Sequence, residues 1–296
     1  MDNPTSVAVA RPRARALTRV NISKVILYAI LTLAALAFLM PFYWTVTSSV
    51  KVTSEVRQVP PTWWPHSFTL DHYRRVLWRP TFFRYMLNSL IYAGGTAGIV
   101  LITSTLIGFA MEKFPSRLGG ILFALIIATM MVPMDTYIIS LFLLLVGIQR
   151  TFHIPMINTY WGMMMPWICY PMGIFMMRTA MKSVPNEMLE AARMDGASTL
   201  GIYWRIVLPL ISTSMATLAV IVFLWKYDDL LWPLIVASTS NMFPIPVGLL
   251  EFTGVYWIDY DLYIAAATLA MAPIFLIYFT TQRFIVQGIA TTGLKG

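Results

Sequence analysis

The sequence predicts an all-α integral membrane protein: six transmembrane helices, with a helix–glycine–helix loop between the fourth and fifth. Three observations carry that prediction. Hydrophobic residues make up 58% of the 296-residue chain and charged residues only 11%, whereas a soluble domain carries roughly a quarter charged residues. Six apolar runs punctuate the chain, each long enough to cross the hydrocarbon core as a helix. Between the fourth and fifth run lies a polar, helix-forming stretch far longer than a plain connection needs.

Residues 1–24 are polar and basic, with Arg11, Arg13, Arg15, Arg19 and Lys24. Val25 to Val46 follows without a charge; it is longer than the apolar core of a signal peptide and lacks a small-residue cleavage site, so it reads as a retained first helix, kinked at Pro41. The loop from Thr47 to Arg84 holds Pro60, Pro61, Trp63, Trp64 and Pro65, and its tryptophans suit interfacial anchors. Within it, Thr69 is expected to cap a short amphipathic helix. Met86 to Met111 is the second span, where Gly94, Gly95 and Gly98 allow close helix approach. Glu112, Lys113, Pro115 and Arg117 make a turn before the third run, Leu118 to Ile148. That run contains Pro133 and Asp135 and reads as one kinked helix, with two shorter segments as the competing reading. Asp135 is expected to face protein or a pathway, because a carboxylate facing lipid is costly.

Ile154 to Met177 is the fourth span, and its methionines (Met163, Met164, Met165, Met172, Met176, Met177) suit adaptable core packing. The fifth span runs from Ile206 to about Leu234, and the sixth from Leu262 to Thr281. Between them lies a loop, Phe243 to Asp261, with Glu251, Asp259 and Asp261. With both termini inside, thirteen lysines and arginines fall on inside segments and seven on outside ones, the bias expected for a cytoplasmic interior. The net charge of +8 thus fits anchoring to anionic lipid, not nucleic-acid binding.

Several chemistries are excluded. No G-x-x-x-x-G-K-[ST] pattern occurs, so the chain has no phosphate cradle of that kind. His66, His72 and His153 fall in separate loops without metal-ligand spacing, and Cys169, the lone cysteine, sits in an apolar run. No nucleophile–base or paired-carboxylate site is recognisable. The chain is therefore not read as an enzyme, and no cofactor is expected in it.

The polar stretch, residues 183–209, is built for structure. Ser183 is expected to cap a helix with Pro185 in its first turn. Glu187 and Glu190 then lie near the positive end of the helix dipole, and Arg193 is spaced i,i+3 from Glu190. Ala191 and Ala192 offer small side chains for close approach. Gly196 suits a left-handed stop, Ser198 a second cap, and Pro209 a break before the next run.

Glu190-Ala191-Ala192-x-x-Asp195-Gly196-Ala197, followed by Leu208-Pro209, resembles the cytoplasmic coupling loop of permease subunits in bacterial ATP-binding-cassette importers. Phe68 to Tyr73, Asn88-Ser89-Leu90, Met131-Val132-Pro133 and the Gly-Leu-Lys-Gly ending resemble the carbohydrate branch, the maltose-transporter type. The resemblance implies a cytoplasmic N-terminal segment (1–24), a permease domain (25–286, with its coupling loop at 183–209) and a cytoplasmic tail (287–296) in a bacterial cytoplasmic membrane. It implies a second homologous permease, two copies of a cytoplasmic ATPase that carry ATP and Mg, and an external solute-binding protein. The loop from about Asn241 to Tyr260 would then face that binding protein. Glycerol-phosphate importers share the architecture.

The solute pathway is read from Asp135 and from Trp225-Lys226-Tyr227-Asp228-Asp229. Lys226 and Asp229 are i,i+3 neighbours that can neutralise each other, which leaves Asp228 on the side of Trp225. A carboxylate beside aromatic rings suits a hydroxyl-rich solute, with Trp225, Tyr227 and Asp228 as candidate contacts. Pairing of Asp228 with a partner subunit, or capping of a helix break before Pro233, are the alternatives.

Overall fold

The computed structural model describes residues 22–253 and 259–293, with side chains to residue 283. The basic segment before Ile22 and the Leu294–Gly296 ending lie outside the described residues, as do residues 254–258 of the expected outer loop. The elements of the described residues are all helices, and Lys51 and Phe68 form an isolated antiparallel bridge between them. It divides into two units, one up to Thr45 and one from Val46 onward.

The first unit is the body of α1 (Ile22–Ser49), an uncharged helix beyond Lys24 with Pro41 inside it. Its apolar side chains are exposed along its length, Phe38 by 79%.

The second unit is organised on α4 (Pro80–Lys113), a 34-residue helix. At ~1.5 Å per residue it is about 50 Å long, enough to cross a bilayer with turns to spare at both ends. Before it come α2 (Thr53–Val56) and α3 (Asp71–Leu77). Glu55 folds the loop between these two by accepting hydrogen bonds from Thr62 Oγ1 at 2.6 Å, His66 N at 3.0 Å and Ser67 N at 3.3 Å. The Thr69 hydroxyl accepts the Asp71 amide at the entry to α3, although Leu70 occupies the cap position itself. His72 is buried between the Lys51 carbonyl and the Asp261 carboxylate, the latter 3.3 Å away but not aligned as a hydrogen bond.

The third apolar run departs from the expected single kinked helix. It forms α5 (Arg117–Thr129) and α6 (Met134–Phe152), because Pro133 has no N–H to continue the ladder and becomes the cap of α6. The fourth run is also interrupted: α7 (Tyr160–Met164) leads through a tight turn at 165–167 to α8 (Pro171–Met181). Pro166 and Pro171 account for the break. Among the described residues, four helices are long and apolar enough to cross a membrane, α1, α4, α6 and the Tyr260–Arg283 part of α15 (Tyr260–Gly293), and the bent pair Thr199–Leu210 and Ser212–Tyr227 makes a fifth if it counts as one span.

α4 and α8 approach on small residues. A Cβ on Gly108 would sit 2.9 Å from the Arg178 backbone, and one on Gly173 would sit 2.5 Å from Ser104 Oγ. Gly94 and Gly98, two of the glycines expected to allow close approach, face open space, while Gly95 receives the Met164 side chain. Met163, Met164 and Met177 are buried as expected; Met172 is exposed.

The chain then continues through α9 (Asn186–Met194) and α10 (Thr199–Ile202), a wide π turn at 203–207 and α11 (Leu208–Leu210). Thr199–Leu210 is bent by 77° from α12 (Ser212–Tyr227). Pro209 leaves the Arg205 carbonyl without its i+4 donor, and the wider turn and the bend accommodate that loss. After α12 come α13 (Leu231–Val236) and α14 (Ile245–Leu249).

The described part of the Phe243–Asp261 loop is packed rather than projecting. Ile245, Val247 and Phe252 are buried. Tyr85 donates to Glu251, Ser89 Oγ accepts the Ile245 amide at 2.8 Å, and Asn88 donates to the carbonyls of Asn241 and Phe243.

Candidate functional site

Two places on the second unit carry functional geometry. The first is a cavity of about 660 Å³. It opens where three helices are broken: at the α5–α6 junction, between α7 and α8, and between α12 and α13. Each break follows from a proline or from a helix end at a charged residue, so the sequence itself interrupts the bundle around this space.

Its aromatic wall is Trp167, Tyr170 and Trp225, with ring centroids 5.9–6.4 Å apart. Lys226 is buried, and its Nζ stands 3.2 Å from the Trp167 ring centroid and 5.0 Å from that of Trp225. The same ammonium pairs with Asp229 at 2.9 Å, and Asp229 accepts a hydrogen bond from Tyr92 at 2.8 Å. This pairing, together with the ring contact, makes a buried cation tolerable. Asp228 ends α12 through its backbone, and its carboxylate forms no hydrogen bond or ion pair among the described residues. Asp135, in the first turn of α6, lies in the same cavity wall.

The structure thus brings Asp135, Trp225 and Asp228 together. Tyr227 it places elsewhere: that ring is buried, stacks on Phe223 at 5.9 Å and donates to the Ala270 carbonyl on α15. Along a helix its side chain is about 160° from that of Trp225 and about 100° from that of Asp228, which turns it into the packing. Trp167, Tyr170 and Tyr92 were missed in the sequence. Trp167 and Tyr170 flank the proline-broken turn of the fourth run, and that break was the available signal.

The second place is the 183–209 loop. Ser183 does not cap α9; its hydroxyl bonds back to the Ala180 carbonyl, and Pro185 is the cap. The end of α9 is as expected. Gly196 adopts φ +84°, its amide donates to the Arg193 carbonyl, and the Ala197 amide donates to the Ala192 carbonyl. These two bonds are the Schellman closure of a helix. The Ser198 hydroxyl accepts the Gly201 amide and starts α10.

The loop is tied to α4 on both arms. Lys113 donates to the Val184 carbonyl at 2.7 Å and to Asn186 Oδ1 at 3.0 Å, and Tyr203 meets Thr105 at 2.7 Å. Leu189 is buried and Ala192 half-buried against this core, together with Leu208. Arg193 turns to the Phe114 ring, 5.9 Å away, instead of pairing with Glu190. Glu190, Ala191, Asp195, Gly196, Ala197 and Pro209 are exposed. Beside them, Gly196, Leu200, Trp204 and Arg205 border a hollow of about 600 Å³. Met194 is 89% exposed and Trp204 62%. These apolar side chains stand beside the exposed small residues of the loop.

Residues 104–291 match the family model described as the binding-protein-dependent transport system inner membrane component. The chain belongs to this family. The permease is 28% identical, over 279 residues, to the arabinooligosaccharides transport system permease protein AraQ of Bacillus subtilis, with 93% of this chain and 97% of AraQ covered. It is 29% identical over 272 residues to the lactose transport system permease protein LacG of Rhizobium radiobacter, covering 91% of this chain and 96% of LacG. It is 28% identical over 282 residues to the sn-glycerol-3-phosphate transport system permease protein UgpE of Brucella abortus, covering 92% and 97%. In fold it is similar to a chain of a bacterial ABC transporter involved in the import of the acidic polysaccharide alginate. That likeness has a TM-score of 0.74 at 20% identity and covers 91% of this chain and 99% of the other.

Proposed function

We propose that this permease is the membrane-spanning half of an ATP-driven importer that moves an oligosaccharide or related polyol across the cytoplasmic membrane by alternating access. A second homologous permease, two copies of a cytoplasmic ATPase and an external solute-binding protein complete the machine, and ATP hydrolysis takes place on the ATPase. Relatives named for arabinooligosaccharides and lactose support this class of solute.

The observation that carries the reading is continuity. The bent segment from Thr199 to Tyr227 begins at the exposed helix–glycine–helix loop and ends at Trp225 and Asp228 in the aromatic cavity. A push on the loop therefore reaches the cavity wall through one bent helix, with α4 alongside it as a lever. In this reading the interrupted fourth run is one of six crossings, both termini are cytoplasmic, and Glu190, Ala191, Ala192, Asp195, Gly196, Ala197, Leu208 and Pro209 form the ATPase-coupling surface and its support. Asp135, Trp225 and Asp228 line the solute pathway, and Tyr227 supports it from behind.

The test is uptake and co-purification with and without Gly196→Pro, which removes the amide that closes α9 and forbids φ +84°. The wild-type chain brings down an ATPase subunit; the variant inserts but loses ATP-driven uptake. Solute uptake by this chain alone in ATP-free liposomes would overturn the reading.

A further inference from the structure

The cavity shows how its wall accepts a cation, because it already holds one of its own. Lys226 lies against the Trp167 ring with the Asp229 carboxylate at 2.9 Å, so an aromatic face and an acid act on one ammonium group. The same pair of chemistries recurs one residue earlier. Trp225 and Asp228 are also three residues apart, which puts them on one side of the helix end, and both are exposed to the cavity. Trp225 is 55% exposed, and the Asp228 carboxylate has no partner among the described residues. The Lys226 ammonium pairs with Asp229 and lies on the Trp167 ring, with the Trp225 centroid farther off at 5.0 Å, so Asp228 is left without it. The charged side chains that line the cavity are Asp135, Lys226, Asp228 and Asp229. With the internal pair cancelled, the charge left to face a solute is acidic.

We propose that the Trp225–Asp228 edge binds a protonated amine, so that the solute class is an amine-bearing glycan or aminopolyol, with uncharged glycans second and uronates or phosphates excluded. This inference deepens the importer reading above and rests on it for the glycan scaffold. The ring covers the C–H face next to the amine and the carboxylate accepts its N–H donors. An anionic sugar at the same edge meets a like charge, and the one lysine in the wall among the described residues is already paired with Asp229.

The experiment uses the permease purified together with its co-expressed partner subunits, with tryptophan fluorescence as the readout. It is titrated with three trisaccharides: a glucosamine trimer, its N-acetylated counterpart and a galacturonate trimer. The expected order is glucosamine tighter than N-acetylglucosamine on the order of tenfold, with no saturable signal from galacturonate. Asp228→Asn brings the first two within about twofold, Asp228→Glu keeps the order, and Trp225→Phe removes most of the signal. Equal binding of all three in the wild type, the same charge order in Asp228→Asn, or no binding by any of them overturns the inference. ATP-driven uptake of the N-acetylated trimer into proteoliposomes, measured in parallel, decides the importer reading separately: uptake without a charge order leaves that reading standing and removes this one.

Discussion

The hydroxyls of Thr105 and Tyr203 lie 2.7 Å apart, joining the C-terminal half of α4 to the π turn that carries the proposed coupling loop into its bent helix. Phe109, one turn further along α4, packs on the same tyrosine with centroids 5.2 Å apart. Thr105 also donates to the Leu101 carbonyl, so its hydroxyl keeps a partner when the tyrosine oxygen is removed. Tyr203→Phe is therefore expected to cost only about 0.6 kcal/mol, the usual worth of a side-chain hydrogen bond within a membrane bundle. The reconstituted complex should unfold at nearly the wild-type temperature while transporting less solute per ATP hydrolysed. A large loss of thermal stability with unchanged coupling would count against a transmission role.

Lys113 holds the other arm of the loop. Replacing it by methionine removes two hydrogen bonds and leaves the Val184 carbonyl without this donor. Lys113 is half-exposed and water covers part of the loss, so the cost is on the order of 1 kcal/mol. Basal ATPase activity should continue while uptake falls, and Lys113→Arg should recover part of it. Equal loss of both activities would indicate a general assembly defect instead.

Gly196 should rank its substitutions by backbone preference rather than by size. Nothing lies within 4 Å of a Cβ built there, so alanine meets no clash, and its cost is the roughly 1–2 kcal/mol of the left-handed conformation. Asparagine, which tolerates that region, should retain more uptake than alanine, and valine least. An order that followed side-chain volume alone would contradict the φ of +84°.

Glu55 gives the first loop an acid limit. The hydrogen bond from Thr62, helped by the His66 and Ser67 amides and opposed by desolvation, holds its carboxyl below the usual carboxylate range. A lowered pKa stabilises the folded loop above the unfolded value, and that contribution disappears as pH falls through the folded one. Protection of the His66 and Ser67 amides from hydrogen exchange should be flat near neutrality and drop only in acid, below the ordinary carboxylate pKa. Glu55→Gln should lower protection at neutral pH and remove the acid step.

The sequence made some of this legible and hid the rest for identifiable reasons. The stop at Gly196 and the cap at Ser198 were readable because both are local: a residue type matched to a backbone conformation two or three positions away. The Lys226–Asp229 pair was readable for the same reason. The cap at Ser183 failed because its hydroxyl had a nearer acceptor in the preceding helix. The breaks in the third and fourth runs were underestimated, since hydropathy measures length and apolarity but does not register a ladder interrupted at Pro133 or Pro171. Tyr227 and Trp167 show the larger gap. One turns into the bundle and the other into the cavity, and that choice depends on neighbours dozens of residues away.

The two adjacent alanines of the loop differ in one consequential way: Ala192 rests on the body of the bundle and Ala191 faces outward beside Met188 and Met194. In the proposed coupling role, support and recognition fall on separate sides of the same short rod. Substitutions on the outward side would then change how the ATPase is gripped without disturbing how the rod is seated, so that the motor could change while the membrane body stays as it is.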